Sequence, residues 1–339
     1  MAKHTEIKDL GEFGLIERLT EGFKTKAGST IMGVGDDAAV ILSGDKYCLL
    51  TSDLMLEGIN FDLVYFPLKH LGYKAVVVGI SDILAMNGTP IQLMVSIGVS
   101  SKLSVEQLEE LYSGINAACE EYGLDLLGGD TSASVNGLVI SVTAAGEVAE
   151  GKIAYRSGAK PNDLICITGD LGAAYMGLHL LEREKRAFAG NDDPQPDFKG
   201  YEYLLQRQLK PAARKDVIDS LAEASIVPTS MIDLSDGLAS DLLQICKSSS
   251  CGARIYLDRI PIARETYNMA EELNADPVVA ALNGGDDHEL LFTVPLSMQE
   301  KISRIGGIDI IGHITHNGTA AVLVTPDGSD IRITAPGFK

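Results

Sequence analysis

The sequence predicts a mixed α/β protein of two domains, and three observations predict it. The chain has 339 residues, more than one hydrophobic core usually organises. Its packing material is aliphatic: 45% of residues are hydrophobic, only 6% are aromatic and Trp is absent, so Ala, Val, Ile and Leu must fill the layers. Along the chain, short β-branched runs that end in Gly or Asp alternate with longer segments of helical period, the pattern of sheets covered by helices.

Residues 12–23 read as an opening helix, followed by a polar loop and strands at 38–42 and 47–52. A helix-like segment spans 69–86. Ser104-Val105-Glu106-Gln107 is a capping box, which starts a helix whose apolar face runs through Leu108, Leu111, Ile115 and Cys119 and which Gly123 is placed to end. Residues 138–147 are rich in β-branched side chains and read as a strand. The turn-rich stretch 151–163, with Pro161, looks like a crossing between domains, which sets the expected division at 1–150 and 151–339. The second half opens with a strand at 164–168 and a helix at 173–186. A charged surface loop is expected at 191–199, then helices at 214–223 and 238–248, with strands dominating thereafter.

Charge narrows the partners. There are 47 Asp and Glu against 28 Lys and Arg, a formal net charge of −19, and such a field repels phosphate backbones and anionic lipid. Nucleic acid and membrane surfaces are therefore not expected partners. The five cysteines form no CxxC pair and read as reduced core thiols. The first residues carry no apolar signal-like run, and no stretch reaches the roughly 18 apolar residues of a membrane span; a cytoplasmic location is the expectation.

The aspartates carry the chemistry. They fall at the ends of predicted strands, beside Gly or hydroxyl residues: Gly35-Asp36-Asp37, Thr51-Ser52-Asp53, Gly128-Gly129-Asp130, Asp233-Leu234-Ser235-Asp236 and Gly284-Gly285-Asp286-Asp287. One Asp at a strand end is ordinarily a turn residue. Asp82 differs, because it lies in the nearly continuous apolar run 76–84, where a carboxylate needs a cation or donors to offset its desolvation; Asp233, closing the run 228–232, raises the same question. Several carboxylates brought together repel one another unless hard cations join them. An all-oxygen set of Asp, Ser and Thr suits magnesium or manganese rather than zinc, and phosphoryl transfer is the chemistry that most needs such a cluster. Two look-alikes fail. Gly146–Lys152 has Walker-type spacing, but Ile153 stands where Ser or Thr should be, and the Gly33-Val34-Gly35 run precedes a strand instead of following one.

Taken in order, these segments resemble the thiamine-monophosphate kinase family, of the superfamily that includes aminoimidazole ribonucleotide synthetase, selenophosphate synthetase and a hydrogenase-maturation protein. The motifs that carry the likeness are Gly33–Ala38, Thr51-Ser52-Asp53 with Glu57-Gly58, Ser81–Met86, Gly128–Thr131, Arg156–Pro161, Ile232–Leu238, and Gly284–Asp287 before Glu289-Leu290. The resemblance implies a two-domain fold of the aminoimidazole ribonucleotide synthetase type, with an N-terminal sheet that dimerises and a C-terminal α/β domain that closes the site. It implies a homodimer that uses ATP and thiamine monophosphate with several magnesium ions. Asp37, Thr51, Ser52, Asp53, Asp82, Asp130, Asp233 and Asp236 would bind the metal, and Gly129, Asp130, Arg156, Ser235 and Tyr112 would contact ATP. The acceptor would meet Asn60, Asp286 and Phe338. Family members often carry His at the position of Asn60, Glu at that of Asp286 and an aromatic at that of His288. No acid–base residue is required, since a phosphate monoester is already largely ionised at neutral pH. Two alternatives stay open: another ATP-using activity of the superfamily, and a non-catalytic nucleotide-binding protein.

Overall fold

The computed structural model describes residues 5–187, 198–316 and 318–335. The first half contains α1 (Ile7–Thr20), β1 (Thr30–Met32), β2 (Ala39–Ser43), β3 (Lys46–Leu56), α2 (Leu68–Ala85), β4 (Thr89–Ser100), α3 (Val105–Tyr122), β5 (Asp125–Gly128), β6 (Thr131–Ser134) and β7 (Val139–Ala149). Its seven strands run β1-β2-β3-β7-β4-β5, with β6 also beside β4. The pairs from β1 to β4 are antiparallel, and β5 and β6 lie parallel to β4. Alternation along β3 explains how the sheet is used. Tyr47, Leu49, Thr51 and Met55 are buried on the side that meets α2, while Leu50, Leu54 and Leu56 on the other face are exposed.

Two glycines bring α2 and α3 into backbone contact. A Cβ added to Gly72 would lie 1.9 Å from the Leu111 carbonyl oxygen, and one added to Gly114 would lie 1.8 Å from that of Lys69. No side chain fits either position, so the crossing point is fixed. α3 starts at the capping box, with Gln107 N–H donating to Ser104 Oγ at 3.3 Å and Ser104 N–H to Gln107 Oε1 at 2.9 Å, and it ends at Gly123 with φ 71°.

The second half contains β8 (Leu164–Thr168), α4 (Ala173–Ala187), α5 (Glu202–Leu209), α6 (Lys215–Glu223), β9 (Ser230–Leu234), α7 (Leu238–Ser249), β10 (Gly252–Tyr256), α8 (Arg264–Leu273), α9 (Pro277–Asn283), β11 (Glu289–Val294), α10 (Gln299–Ile302), β12 (Ile308–Thr315), β13 (Ala321–Val324) and β14 (Asp330–Arg332). Its sheet order is β14-β13-β10-β12-β8-β11-β9. β8, β9 and β11 are buried along their whole length, because helices and the first half cover both faces. One core unites the halves: Val76, Ile80 and Ile83 of α2 belong to the same cluster as Val142 of the first sheet and Cys166, Met231 and Phe292 of the second. A second core, on the opposite face of the second sheet, packs Ile167, Ile232 and Leu291 with Leu242 and Ile245 of α7.

The elements depart from the sequence pattern in several places, and β1, β5, β6 and α5 are among the unexpected ones. The 12-residue strand β4 is not expected from the pattern, since Pro90 and Gly98 interrupt it; Leu93, Val95 and Ile97 nonetheless alternate inward at 1%, 2% and 5% exposure. Pro90 is tolerated because it sits at the start of the strand, where the pairing slips between Pro90 and Gln92. After residue 248 strands do not dominate alone, because α8 and α9 intervene. The opening helix begins earlier than expected, at Ile7, and is broken at Gly11 with φ 67°. Residues 191–197 of the expected surface loop lie outside the described residues. Among the described residues, no helix is long and apolar enough to cross a membrane.

Candidate active site

A cleft of about 1180 Å³ opens where the two halves meet. Its floor is built from four elements. Asp36 and Asp37 come from the loop before β2, Thr51 and Asp53 from the inward face of β3 and Asp82 from α2, while Asp233, from β9 of the other sheet, is buried directly behind these lining residues. One oxygen each of Asp37, Asp82 and Asp233 lies within 4.8 Å of the others. These residues are 45 to 196 positions apart in sequence, so only the joined fold brings them together.

Hydroxyls and one guanidinium fix the carboxylates. Thr51 Oγ1 donates to Asp82 Oδ2 at 2.5 Å, Ser81 Oγ to Asp233 Oδ2 at 2.8 Å, and Ser235 Oγ to Asp233 Oδ1 at 3.3 Å. Arg156 Nη2 meets Asp37 Oδ1 at 2.7 Å, and the Arg156 backbone N–H donates to Asp36. The remaining oxygens Asp37 Oδ2 and Asp53 Oδ2 are buried without a partner. Burial pushes the Asp37 carboxyl up to about 8 although Arg156 pulls it down, and burial followed by the charge of Asp233 pushes Asp53 up to about 7. Asp82 is raised well above the ordinary carboxylate range, by burial and then by Asp233, Asp53 and Asp37. Orphaned, crowded carboxylate oxygens of this kind fit a hard divalent cation, and the donor set is oxygen throughout.

Beside the acidic cluster, the loop before β11 presents Asp286, whose oxygens meet Lys74 Nζ and His288 Nε2, the latter at 3.0 Å. Asn60 lines the same wall; its Oδ1 accepts from the Leu56 N–H at 2.9 Å, which leaves the amide group as the donor. His288 is 3% exposed, a wall residue and not a solvent-facing one, with Nδ1 4.0 Å from Asp233 Oδ2.

The remaining expected residues are placed as follows. Ser235 and Asp236 stand solvent-facing at the cleft mouth. Ser52 also lines the cleft, with its hydroxyl 3.2 Å from Thr143 Oγ1 of β7. Gly129 and Asp130 sit at the exposed junction of β5 and β6, three strands from β3 and so about 14 Å away. Tyr112 packs half-buried on α3. None of these last three lines the cleft, and Phe338 lies outside the described residues. Sequence reasoning missed Lys74 and Asp241. Asp241, on α7, is 2% exposed with Oδ2 unpartnered, and burial followed by Asp236, Asp233 and Asp37 raises its carboxyl well above the usual range. The signal was available: each is a charge inside an otherwise apolar helical run, as Asp82 is.

Comparison with known proteins bears on this geometry. Residues 35–148 match the AIR synthase related protein N-terminal domain, and residues 160–323 match the AIR synthase related protein C-terminal domain. The chain is 33% identical over 290 residues to thiamine-monophosphate kinase of Aquifex aeolicus, covering 85% of this chain and 87% of that protein. To thiamine-monophosphate kinase of Bacillus subtilis it is 32% identical over 339 residues, covering 97% and 99%. A solved structure described as AaThiL complexed with AMPPCP and TMP superposes with a TM-score of 0.82 at 30% identity, over 97% of both chains.

Proposed function

Because the chain belongs to the thiamine-monophosphate kinase family of AIR synthase related proteins, we infer that it phosphorylates thiamine monophosphate with ATP, giving thiamine diphosphate and ADP, the last step in making that cofactor. ATP is its co-substrate, as the AMPPCP complex of the related structure supports. The observation in this chain that carries the inference is the convergence of Asp37, Asp82 and Asp233 from both halves on one point of a cleft.

Transfer is direct and in line. An acceptor phosphate oxygen forms the new bond to the γ-phosphorus as the bond from that phosphorus to the β–γ bridging oxygen breaks, and ADP leaves with the electron pair. The nucleophile is ionised at neutral pH, so no side chain needs to take a proton; the obstacle is repulsion between two anions. Magnesium, held by Asp37, Asp53, Asp82 and Asp233 with Thr51, would supply the neutralising charge. Ser52 and Asp236, which line the cleft, and Asp130, which does not, remain further metal contacts on the family pattern, as Gly129, Asp130 and Tyr112 remain nucleotide contacts and Phe338 an acceptor contact. Arg156, anchored on Asp37, offers its fixed fork to phosphate oxygens, and Ser235 stands beside it at the mouth. Asn60 and Asp286 face the acceptor.

Two further parts belong to this inference. A homodimer is supported by the apolar outer face of the first sheet, where Leu50, Leu54, Leu56 and Met94 are 36–57% exposed. A cytoplasmic location is supported by five cysteines that stand as free thiols, four of them buried.

The test is an acceptor screen with purified protein, ATP and magnesium, reading thiamine diphosphate and ADP together, then repeated with chelator. Formation of both products from thiamine monophosphate, abolished by the chelator, is expected. ATP binding without ADP release on any acceptor would reject the assignment.

A further inference from the structure

The acceptor end of the cleft contains a cation that the metal cluster does not use. The Lys74 side chain is 1% exposed, and an ammonium that deep in protein persists only when partners replace its water. Its Nζ donates to Asp286 Oδ2 and to the Gln208 carbonyl oxygen at 3.0 Å, and it stands 5.7 Å from the centre of the Phe66 ring. The other Asp286 oxygen takes His288 Nε2 at 3.0 Å, and the His288 side chain is 4% exposed. Asp286 itself is different: 37% of its side chain is exposed, on the wall of the cleft. Two buried donors therefore grip this carboxylate from behind. The buried Gln208 side-chain amide adds a third donor, to Asp286 Oδ2 at 3.0 Å, and since a carboxylate has about four acceptor positions, roughly one remains for whatever enters the cleft.

The backbone shows that this posture is imposed. Gly285, Asp286 and His288 have φ of 71°, 64° and 51°; only the first is a residue that adopts such angles freely, and non-glycine residues stay there when their surroundings over-determine them. The position along α2 has a reason too. Lys74, Val78 and Asp82 lie at i, i+4 and i+8, one stripe of the helix, and all three line the cleft. At 1.5 Å per residue, the lysine stands about 12 Å along the axis from the metal cluster. The wall it supports nonetheless adjoins the cluster, since His288 Nδ1 lies 4.0 Å from Asp233 Oδ2.

We propose that Lys74 and His288 are positioning residues for the acceptor: together they hold the Asp286 carboxylate charged and aimed so that it can select thiamine monophosphate. This rests on the function inferred above and adds two residues to it. Burial alone would raise the Asp286 carboxyl, but the charge of Lys74 and then the His288 contact override it and hold the group well below the ordinary range. Both are turned to Asp286, so the acceptor should sense their loss before the nucleotide does.

Steady-state kinetics with each substrate varied in turn tests this on the full chain. Lys74→Met, which keeps length and removes charge, should raise the KM for thiamine monophosphate about tenfold or more, the scale of one charge-assisted hydrogen bond, and leave the KM for ATP within about twofold. His288→Leu should raise the acceptor KM in the same way, and His288→Gln, which can place an N–H where Nε2 stands, should restore most of it. If Lys74→Met does not fold, Lys74→Met combined with Asp286→Asn removes both charges and should show the acceptor defect of Asp286→Asn alone. A rise in ATP KM equal to that for the acceptor, a fall in kcat at unchanged KM, or additive defects in the double variant overturns the proposal. Absence of turnover in the unaltered protein rejects the kinase assignment and takes this proposal with it, whereas normal turnover with unshifted variants rejects the proposal alone.

Discussion

Burial lifts Asp37 and Asp53 to about 8 and about 7, and lifts Asp82 well above the usual carboxylate range, so these side chains hold protons in the metal-free protein at pH values where they would be ionised in an unfolded chain. The sign follows from linkage. A folded pKa above the unfolded value of about 3.9 means that the native state binds more protons between about pH 4 and pH 8, so this contribution to stability falls as pH rises through that window. Magnesium binds the ionised form, so its stabilising effect grows over the same window. Thermal melts should show a larger gain from magnesium at pH 8 than at pH 5.5; equal gains would reject a metal role for these carboxylates. Asp82→Asn removes the crowded charge and one ligand together. It should raise the melting temperature in chelator at pH 8 and lower kcat by on the order of 100-fold or more. Near-normal turnover in this variant would count against the cluster. At this scale much was legible, since Asp82 and Asp233 already stood out as carboxylates closing or interrupting apolar runs. Lys74 and Asp241 sent the same signal unread, because a lone charge in a helix usually turns outward and α2 and α7 turn theirs inward.

Helix α2 is the element that gives the cleft its scale. It carries Lys74, Ser81 and Asp82, is buried along both sides, and touches β3, β7 and β9. Its place depends on Gly72 and Gly114, where the α2 and α3 backbones meet without intervening side chains. Gly114→Ala would drive a Cβ to 1.8 Å from the Lys69 carbonyl oxygen, which must part the helices. Destabilisation of about 2–3 kcal/mol is expected from such overpacking, together with a loss of turnover as Asp82 shifts. Gly151→Ala, which meets nothing within 4 Å, serves as the control in urea unfolding. Equal stability of the two variants would show that the crossing tolerates separation. The capping box and Gly123 made α3 readable from sequence, whereas β4 was hidden by Pro90 and Gly98, whose local preferences are overridden by pairing with β7 on one side and β5 and β6 on the other.

For the whole molecule, the shared core makes the two sheets one folding unit. Residues of α2, β7, β8, β9 and β11 pack in one cluster, so calorimetry should record a single cooperative transition and not two. The outer face of the first sheet leaves Leu54 57% exposed beside Leu50 and Leu56, and a second copy is the proposed cover. Leu50→Asp places charge on that face, away from the cleft lining, and should convert a dimer to a monomer in sedimentation analysis, with the metal cluster of each chain intact. A dimer that survives the change would mean that another surface makes the contact.

By itself the sequence determined the class of fold, the aliphatic character of the layers, the capped helix α3, and the identity of the acidic segments, because these depend on local period, turn chemistry and residue type. Family membership was legible from the same segments taken in order. Only the tertiary structure decided which acids meet. Asp37, Asp82 and Asp233 converge because α2 is clamped between two sheets, while Asp130 stays three strands away, and no local pattern encodes a distance across a sheet. The buried grip of Lys74 and His288 on Asp286 was likewise undecided until the halves packed, since a desolvated ion pair exists only where the surrounding core has excluded water.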